Sequence, residues 1–430
     1  MTEKTLEELK RALGLKETFF ISLGGQSPLL SLLTYGAAVL SISGFFSPIA
    51  VLLGTLLVLL NGSVVSRLSL RFQDSGGYYT YASRALSKAL GFQTGWLYAF
   101  YSILYGCAYI FGASYLLNLV FGLPVYLSIS VLLIPSVTLL ILGVKPSSKY
   151  AVVVGALELG VIVFLSIFFL SRTHFEFYTL KAPNLSVGKL ALAILLASSI
   201  PTGYGTVAPM SGEVINASKN VGRAILLVIL VGGALASFYM YSLSDLLQTF
   251  GGASLVSFHT IFKGTALPVV LLACLSDGVL AALAFMLASS RTLFKMGRDL
   301  ALPRFFAKVR NSNPLMSSLI VSLAYISICY SLSWISDPFH IFVVLGILSS
   351  LASLATHIAA NFSLLRLSLN DAHFYEFALS LGAIVVSALD LFYSLTSVAL
   401  FYLLILIAWT LIGQLYSRLR RLSHDNLSVS

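Results

Sequence analysis

The stretch Gly24-Gly25-Gln26-Ser27-Pro28 interrupts an apolar segment that covers about residues 19–43. A second apolar segment, about residues 190–210, is interrupted by Pro201-Thr202-Gly203-Tyr204-Gly205-Thr206-Val207-Ala208-Pro209. Backbone can leave a helix at membrane depth only where protein or a water-filled cavity satisfies its polar groups. Broken helices at matching places in two halves of a chain are typical of a transporter's binding site. The two stretches therefore predict a cavity near the middle of a bilayer.

The composition is that of a membrane protein. Of 430 residues, 58% are hydrophobic and 10% are charged, whereas soluble domains carry about 25% charged residues. A helical span needs roughly 20 apolar residues, and the two interrupted stretches lie in the first and the sixth of twelve such runs. The runs cover approximately 19–43, 45–66, 91–121, 125–144, 150–171, 190–210, 224–248, 266–290, 315–335, 338–365, 374–394 and 396–417. These runs predict an all-α integral membrane protein with twelve transmembrane helices, of which helices 1 and 6 are broken.

The basic residues indicate how the chain lies in the membrane. If the N-terminus is inside and the spans alternate, 22 of the 26 Lys and Arg residues fall on inner segments. The four on outer segments are Arg172, Lys181, Lys189 and Lys263. Cytoplasmic loops carry an excess of Lys and Arg, so we expect a multi-pass cell-membrane protein with both termini in the cytoplasm. Topology thus accounts for the net charge of +10 without a nucleic-acid partner.

The cysteines carry no site. Cys107, Cys274 and Cys329 all lie in apolar spans without metal-ligand spacing, which is typical of small buried packing residues. We expect no metal and no cofactor other than H⁺ or Na⁺ as a coupling ion. The partners that we expect are a small-molecule substrate and the lipid bilayer, and the sequence leaves the oligomeric state open.

Three segments outside the interrupted helices resemble a known family. The first is Ser75-Gly76-Gly77-Tyr78-Tyr79-Thr80-Tyr81 with its continuation to residue 98. The second is Gly212-Glu213-Val214-Ile215-Asn216 with Asn220 and Arg223. The third consists of Ala288-Ser289-Ser290-Arg291, Arg298-Asp299-Leu300-Ala301-Leu302-Pro303 and Asn313-Pro314. Each resembles a cytoplasmic-side signature of the amino acid–polyamine–organocation superfamily of permeases, and the three occur in the family's order.

The resemblance implies a LeuT-like fold of two five-helix inverted repeats, with two further helices at the C-terminal end. The corresponding parts are a cytoplasmic N-terminus (1–18), a first repeat (19–171), a second repeat (190–365), helices 11 and 12 (374–417) and a cytoplasmic tail (418–430). Members move amino acids or related amines by alternating access. The chain departs from the family where Gly203-Tyr204-Gly205 replaces a Phe-Gly-Phe-Glu run, and where Glu158 stands at a position that is often lysine.

The interrupted stretches supply the predicted substrate-binding groups. An unwound backbone exposes N–H groups, and the N-terminus of a half-helix favours a carboxylate. Gly24 and Gly25 permit close approach, and Gln26 and Ser27 add donors and acceptors. In the sixth span, we expect freed carbonyls to accept an ammonium group; the predicted residues are Thr202, Gly203 and Gly205, with Tyr204 as a binding, gating or packing aromatic.

Acids within the spans are candidates for ion coupling. Glu158 lies about eight residues into the fifth span, roughly 12 Å along the helix, where an ionised carboxylate is costly. Burial favours the neutral form, so we predict proton coupling through Glu158, with a hydrogen-bonded structural acid as the alternative. Asp277, near the middle of the eighth span, either contacts the substrate or bonds to neighbouring helices. Asp245 and Asp390 lie nearer the predicted outer ends of their spans, and we interpret both as structural.

Other polar residues follow helical spacing. Tyr98, Tyr101, Tyr105 and Tyr109 recur on one face of the third span, and Tyr105 is the best candidate to face a cavity, although packing within the bundle is as good an explanation. His357 is interpreted as a hydrogen-bonded structural histidine, with a place in a proton path as the alternative. Basic and acidic residues on the predicted cytoplasmic side form an inner gate or anchor the topology; they are Arg84, Arg291, Arg298, Glu213 and Asp299.

These patterns together predict a secondary active transporter of amino acids or related small amines, coupled to protons. An exchanger or a sodium-coupled symporter of the same fold is the alternative. An ion channel is a more distant alternative, because neither a repeated filter nor a charged ring is present. We expect no enzyme activity, since the spans carry neither a metal-ligand cluster nor a Gly-x-Ser-x-Gly turn.

Overall fold

A computed structural model describes residues 9–180, 185–249, 266–397 and 399–428. Side chains are described for all of these except 266–269, 395–397 and 421–428. Lys181 and Lys263, two of the basic residues that we assign to the outer side, lie outside the described residues.

The described chain is built from helices that follow the apolar runs of the sequence. The α-helices are α1 (Leu15–Gln26), α2 (Pro28–Ser31), α3 (Ala37–Ser43), α4 (Ser47–Arg71), α5 (Tyr78–Ala85), α6 (Lys88–Phe121), α7 (Val125–Leu142), α8 (Val144–Arg172), α9 (Val187–Ser198), α10 (Ala217–Thr249), α11 (Ala266–Arg298), α12 (Leu315–Leu332), α13 (Pro338–Asn370), α14 (Phe374–Ser397) and α15 (Leu400–Ser428). A π-helical turn (Leu32–Gly36) and 3₁₀ segments (Gly44–Phe46, Tyr204–Glu213 and Arg304–Ala307) join them.

Ten helical stretches of the described residues are long and apolar enough to cross a membrane. The first of them, Leu15–Arg71, has 57 residues and covers the first two predicted spans. The all-helical membrane fold is thus confirmed. The number of twelve crossings and the inverted repeat stay predictions.

The first predicted interruption is confirmed. Helix α1 ends at Gln26, and Ser27 has a left-handed backbone with φ of 47°. Helix α2 starts at Pro28, whose missing N–H is tolerated in a first helical turn. The chain then continues through the π-helical turn into α3.

The second predicted interruption is also confirmed. Helix α9 ends at Ser198, and helical structure resumes only with the 3₁₀ segment that begins at Tyr204. Between them, Gly203 has a φ of 100°, a conformation that residues with a Cβ rarely adopt. The glycine therefore permits the chain to leave the helix of the first half of this span and to begin the second half.

The central helix is α11, and the most peripheral described helix is α15. In their most apolar parts, 83% of α11 residues but 6% of α15 residues are buried within the protein. The Trp96 and Trp409 rings stack at 4.6 Å, and each indole N–H donates to the other residue's backbone carbonyl, at 3.0 and 3.2 Å. These contacts hold α15 against α6. The two broken spans lie beside α11 and α10 within the bundle.

Candidate functional site

The two breaks touch each other through glycine. A Cβ on Gly25 would overlap the carbonyl oxygen of Gly203, and a Cβ on Gly203 would overlap the carbonyl of Gly25. The Gln26 amide donates to the Pro201 carbonyl at 2.7 Å. The side chain of the first break thus bonds directly to the main chain of the second.

Side chains satisfy the carbonyl groups that the breaks release. The Ser22 hydroxyl donates to the Tyr204 carbonyl at 2.7 Å, and the Ser31 hydroxyl donates to the Gln26 carbonyl at 2.8 Å. Tyr98 donates to the Gly205 carbonyl at 3.4 Å. Broken helices persist at membrane depth only with such partners. The predicted binding of a substrate ammonium by carbonyls of Thr202, Gly203 and Gly205 stays a prediction.

Asp277 lies at the N-terminus of the second half of the first span. Its Oδ2 accepts the Leu30 backbone N–H at 3.0 Å, and its side chain is fully buried. A carboxylate is favoured at a helix N-terminus. The protein's own acid therefore lies where we expected the carboxylate of a substrate.

Glu158 forms a pair with Asp277. Both side chains are 0% exposed, and the carboxyl group that faces Glu158 is that of Asp277. Within the described part of the chain, neither Glu158 oxygen nor Asp277 Oδ1 has a hydrogen-bond partner. Tyr150 of α8 donates to the Ser276 carbonyl of α11 at 3.1 Å and holds these two helices together. The pair thus lies where α8, α11 and the first break meet.

A cavity of about 810 Å³ lies next to the second break. Its wall is largely apolar and comes from α4, α6, α9, α13 and α14 together with the π-helical turn and α3. The polar and aromatic hydroxyl-bearing residues on the wall are Thr34, Tyr35, Asn61, Tyr101, Tyr105, Ser198, Ser199, Thr202, Tyr204, Ser350, Ser353, His357, Asp390, Tyr393 and Ser394.

The cavity brings together only some of the predicted site residues. Tyr105, Thr202 and Tyr204 line it. The other predicted residues lie off its wall; they are Gly24, Gly25, Gln26, Ser27, Gly203, Gly205, Asp277 and Glu158. Their predicted roles in binding or coupling remain predictions.

His357 lies at the end of the cavity nearest the second break. Its Nδ1 lies 2.9 Å from the Ser353 carbonyl, which can only accept, so Nδ1 carries a hydrogen. In the neutral ring, Nε2 then accepts from the Tyr204 hydroxyl at 2.8 Å and lies 3.2 Å from the Tyr78 hydroxyl. These bonds agree with the structural interpretation of this histidine.

Asp245 and Asp390 have different environments. Asp245 accepts the Thr173 hydroxyl at 2.5 Å and the Tyr178 backbone N–H at 3.1 Å, which agrees with its structural interpretation. Asp390 lies on the cavity wall. Its interpretation as structural considers depth along one helix only, whereas its position within an apolar run was the available signal for a functional role.

Asn61 is a cavity residue that the sequence pattern did not indicate. Its Oδ1 accepts from the Asn361 amide at 2.9 Å and from the Ser387 hydroxyl at 3.1 Å. This polar cluster joins α4, α13 and α14. It holds α14, and with it Asp390, against the bundle.

Comparison with known proteins identifies the family. The family model described as amino acid permease matches residues 17–417. The chain belongs to the amino acid permease family. This permease matches no curated protein sequence.

Solved structures show the same fold in distant transporters. A crystal structure of the Eremococcus coleocola manganese transporter with an aromatic bis-isothiourea substituted compound has a TM-score of 0.57 and 11% identity, covering 98% of this chain and 99% of that chain. Structures of two mutants of the same transporter give TM-scores of 0.57 and 0.56, both at 11% identity. The first comparison covers 98% of this chain and 100% of that chain. The second covers 94% of this chain and 95% of that chain.

The permease is therefore a multi-pass membrane transporter. At this identity, the similarity to the manganese transporter shows the fold alone. Among the residues that the structure describes, no group of three or more His, Cys, Asp or Glu side chains could hold a metal ion.

Proposed function

We propose that the permease is a proton-coupled secondary transporter of amino acids or related small amines that works by alternating access. The proposal rests chiefly on the buried Glu158–Asp277 pair beside the first break. The family assignment and a cavity of ligand-binding size next to the second break support it.

The proposed topology has twelve crossings with both termini in the cytoplasm, and inverted repeats at 19–171 and 190–365. The location of 22 of 26 basic residues on predicted inner segments supports this orientation. The two observed breaks occupy equivalent places in the proposed repeats.

The acid pair provides a proton site by simple electrostatics. Two carboxylates that face each other in a buried site cannot both be ionised at low cost, so one of them keeps a proton. Asp277 accepts the Leu30 N–H at a helix N-terminus, which favours its ionised form. The proton is thus held by Glu158. Rearrangement at the first break changes this environment and releases the proton.

Substitution of Glu158 by glutamine tests the coupling. The amide mimics a permanently protonated carboxyl, so we expect uphill uptake driven by an inward pH gradient to fall about 100-fold or more, as for loss of one proton-transfer group. Exchange of labelled for unlabelled substrate across proteoliposomes should stay within about twofold of wild type. Both fluxes are measured in the same preparation.

Asp245→Asn is the matched control, because Asp245 is a buried acid outside the pair. It should retain pH-driven uptake. Uphill uptake that follows a sodium gradient, or a Glu158→Gln variant with full pH-driven uptake, would overturn proton coupling. Obligatory exchange without net uptake in wild type would indicate the exchanger alternative.

A further inference from the structure

Asp390 places a carboxyl group on the cavity wall. Among the described residues that line the cavity, it is the one carboxylate, and no Lys or Arg accompanies it. Ser394, one helical turn further along α14, is its hydrogen-bonding neighbour. A carboxylate on a mostly apolar wall is costly unless a cation or several donors approach it.

The depth of Asp390 follows from the contact between α13 and α14. Ser387 lies 3.3 Å from the Asn361 amide, which fixes the two helices at one level. The two helices are antiparallel, so going forward along α14 and backward along α13 leads in the same direction. Asp390 lies three residues, or about 4.5 Å, beyond Ser387, and His357 lies four residues, or about 6 Å, beyond Asn361. Asp390 is therefore level with His357, which bonds to Tyr204 at the second break.

The rest of the wall suits an apolar body that carries a positive charge. The aromatic residues on the wall include Tyr101, Tyr105, Tyr204, Phe342 and Tyr393. Aromatic faces attract cations and pack well against apolar groups. A volume of about 810 Å³ lies in the range of small-molecule binding sites.

A carboxylate on the substrate has no counterpart in this cavity. No Lys or Arg is among the described residues of its wall, and the ring nitrogens of His357 are already bonded to Ser353 and Tyr204. The helix N-terminus at the first break, which would attract a carboxylate, already holds Asp277. A zwitterionic ligand would therefore leave its negative charge unpaired.

We infer that Asp390 binds the cationic group of the substrate, and that the substrate is an amine with an apolar or aromatic body and no carboxylate. The inference rests on the proposed transport function and specifies its substrate class. Ser394 orients the Asp390 carboxylate, and the Asn61–Asn361–Ser387 cluster positions the helix that carries it.

Binding to the purified full-length protein tests this assignment. The probes are 2-phenylethylamine, tryptamine and n-hexylamine, with 2-phenylethanol as the uncharged isostere and L-phenylalanine as the zwitterion. We expect at least one amine to bind wild type about tenfold or more tighter than the alcohol or the amino acid. In Asp390→Asn, its affinity should fall by about 30-fold or more, as for loss of one partner of a desolvated charge pair. The affinity of the alcohol should not change.

Two further variants complete the design. Asp337→Asn removes an acid at the start of α13 while keeping a side chain that caps Phe339 and His340, so it controls for general surface charge and should bind the amine as wild type does. Asp390→Glu keeps the charge and should retain most of the amine affinity, which controls for misfolding of the asparagine variant.

The possible failures are distinguishable. If the amine binds equally to wild type and Asp390→Asn, or if the amino acid binds and the amines do not, Asp390 is not the cation site, and transport of amino acids or amines still stands. If wild type binds neither the three amines nor L-phenylalanine, this inference fails. Failure of the proposed function is measured separately, as wild-type proteoliposomes that take up neither amines nor amino acids.

Discussion

Replacement of Glu213 by glutamine is expected to lower the free energy of unfolding by about 3–5 kcal/mol. Arg291 Nε and Nη2 donate to the two Glu213 carboxylate oxygens at 2.8 and 2.9 Å, and both side chains are 0% exposed. The amide would leave a buried guanidinium group without a counter-charge. Thermal unfolding of the purified protein in detergent, followed by tryptophan fluorescence, measures the loss.

A surface ion pair gives the matched comparison. Arg84 and Asp74 lie 3.7 Å apart with side chains 60% and 57% exposed, so Arg84→Gln should cost less than about 1 kcal/mol. The double variant Glu213→Leu with Arg291→Met removes both charges and should recover most of the stability that the single variant loses. Equal effects of Glu213→Gln and Arg84→Gln would contradict the burial argument.

The Glu213–Arg291 ion pair lies beside the contact between the N-terminal segment and the sixth span, where an inner gate is one interpretation of these charges. The backbone carbonyl of Glu213 accepts the N–H groups of Ala12 and Leu13, and Leu13 accepts the N–H of Ile215. The N-terminal segment is therefore tied to the end of the second half of the sixth span, beside the ion pair. Both interpretations of these charges, an inner gate and anchors of the topology, remain predictions.

Substitution of Gly203 by alanine is expected to destabilise the protein by about 2–5 kcal/mol. Two costs combine. The φ of 100° strains any residue with a Cβ, and that Cβ would overlap the main chain of Gly25 in the first span. The substitution forces the two breaks apart, so we also expect transport to be lost. The melting temperature and uptake into proteoliposomes are both measured.

Gly382→Ala is the control for this prediction. Gly382 lies inside α14, and a Cβ there meets no atom within 4 Å. Alanine in a helix interior should be neutral or stabilise by about 0.5–1 kcal/mol. A Gly203→Ala protein that melts and transports as the Gly382→Ala protein does would show that the breaks do not depend on this contact.

The sequence alone identified the helices, the two interruptions and the acids within the spans. These features follow from local chemistry, because length and apolarity determine which segments can cross a bilayer, and the left-handed backbone at Gly203 needs glycine. The family signatures around Glu213 and Arg291 were also readable, since they occur as contiguous motifs.

Only the tertiary structure decided which of these residues meet. Asp277 occupies the helix N-terminus beside Pro28, Glu158 faces it, and Asp390 lines the cavity while Gly24 and Ser27 do not. Each outcome depends on the rotation and relative height of helices that are distant along the chain. A difference of one helical turn moves a side chain by about 5.4 Å, and packing among several helices sets that register.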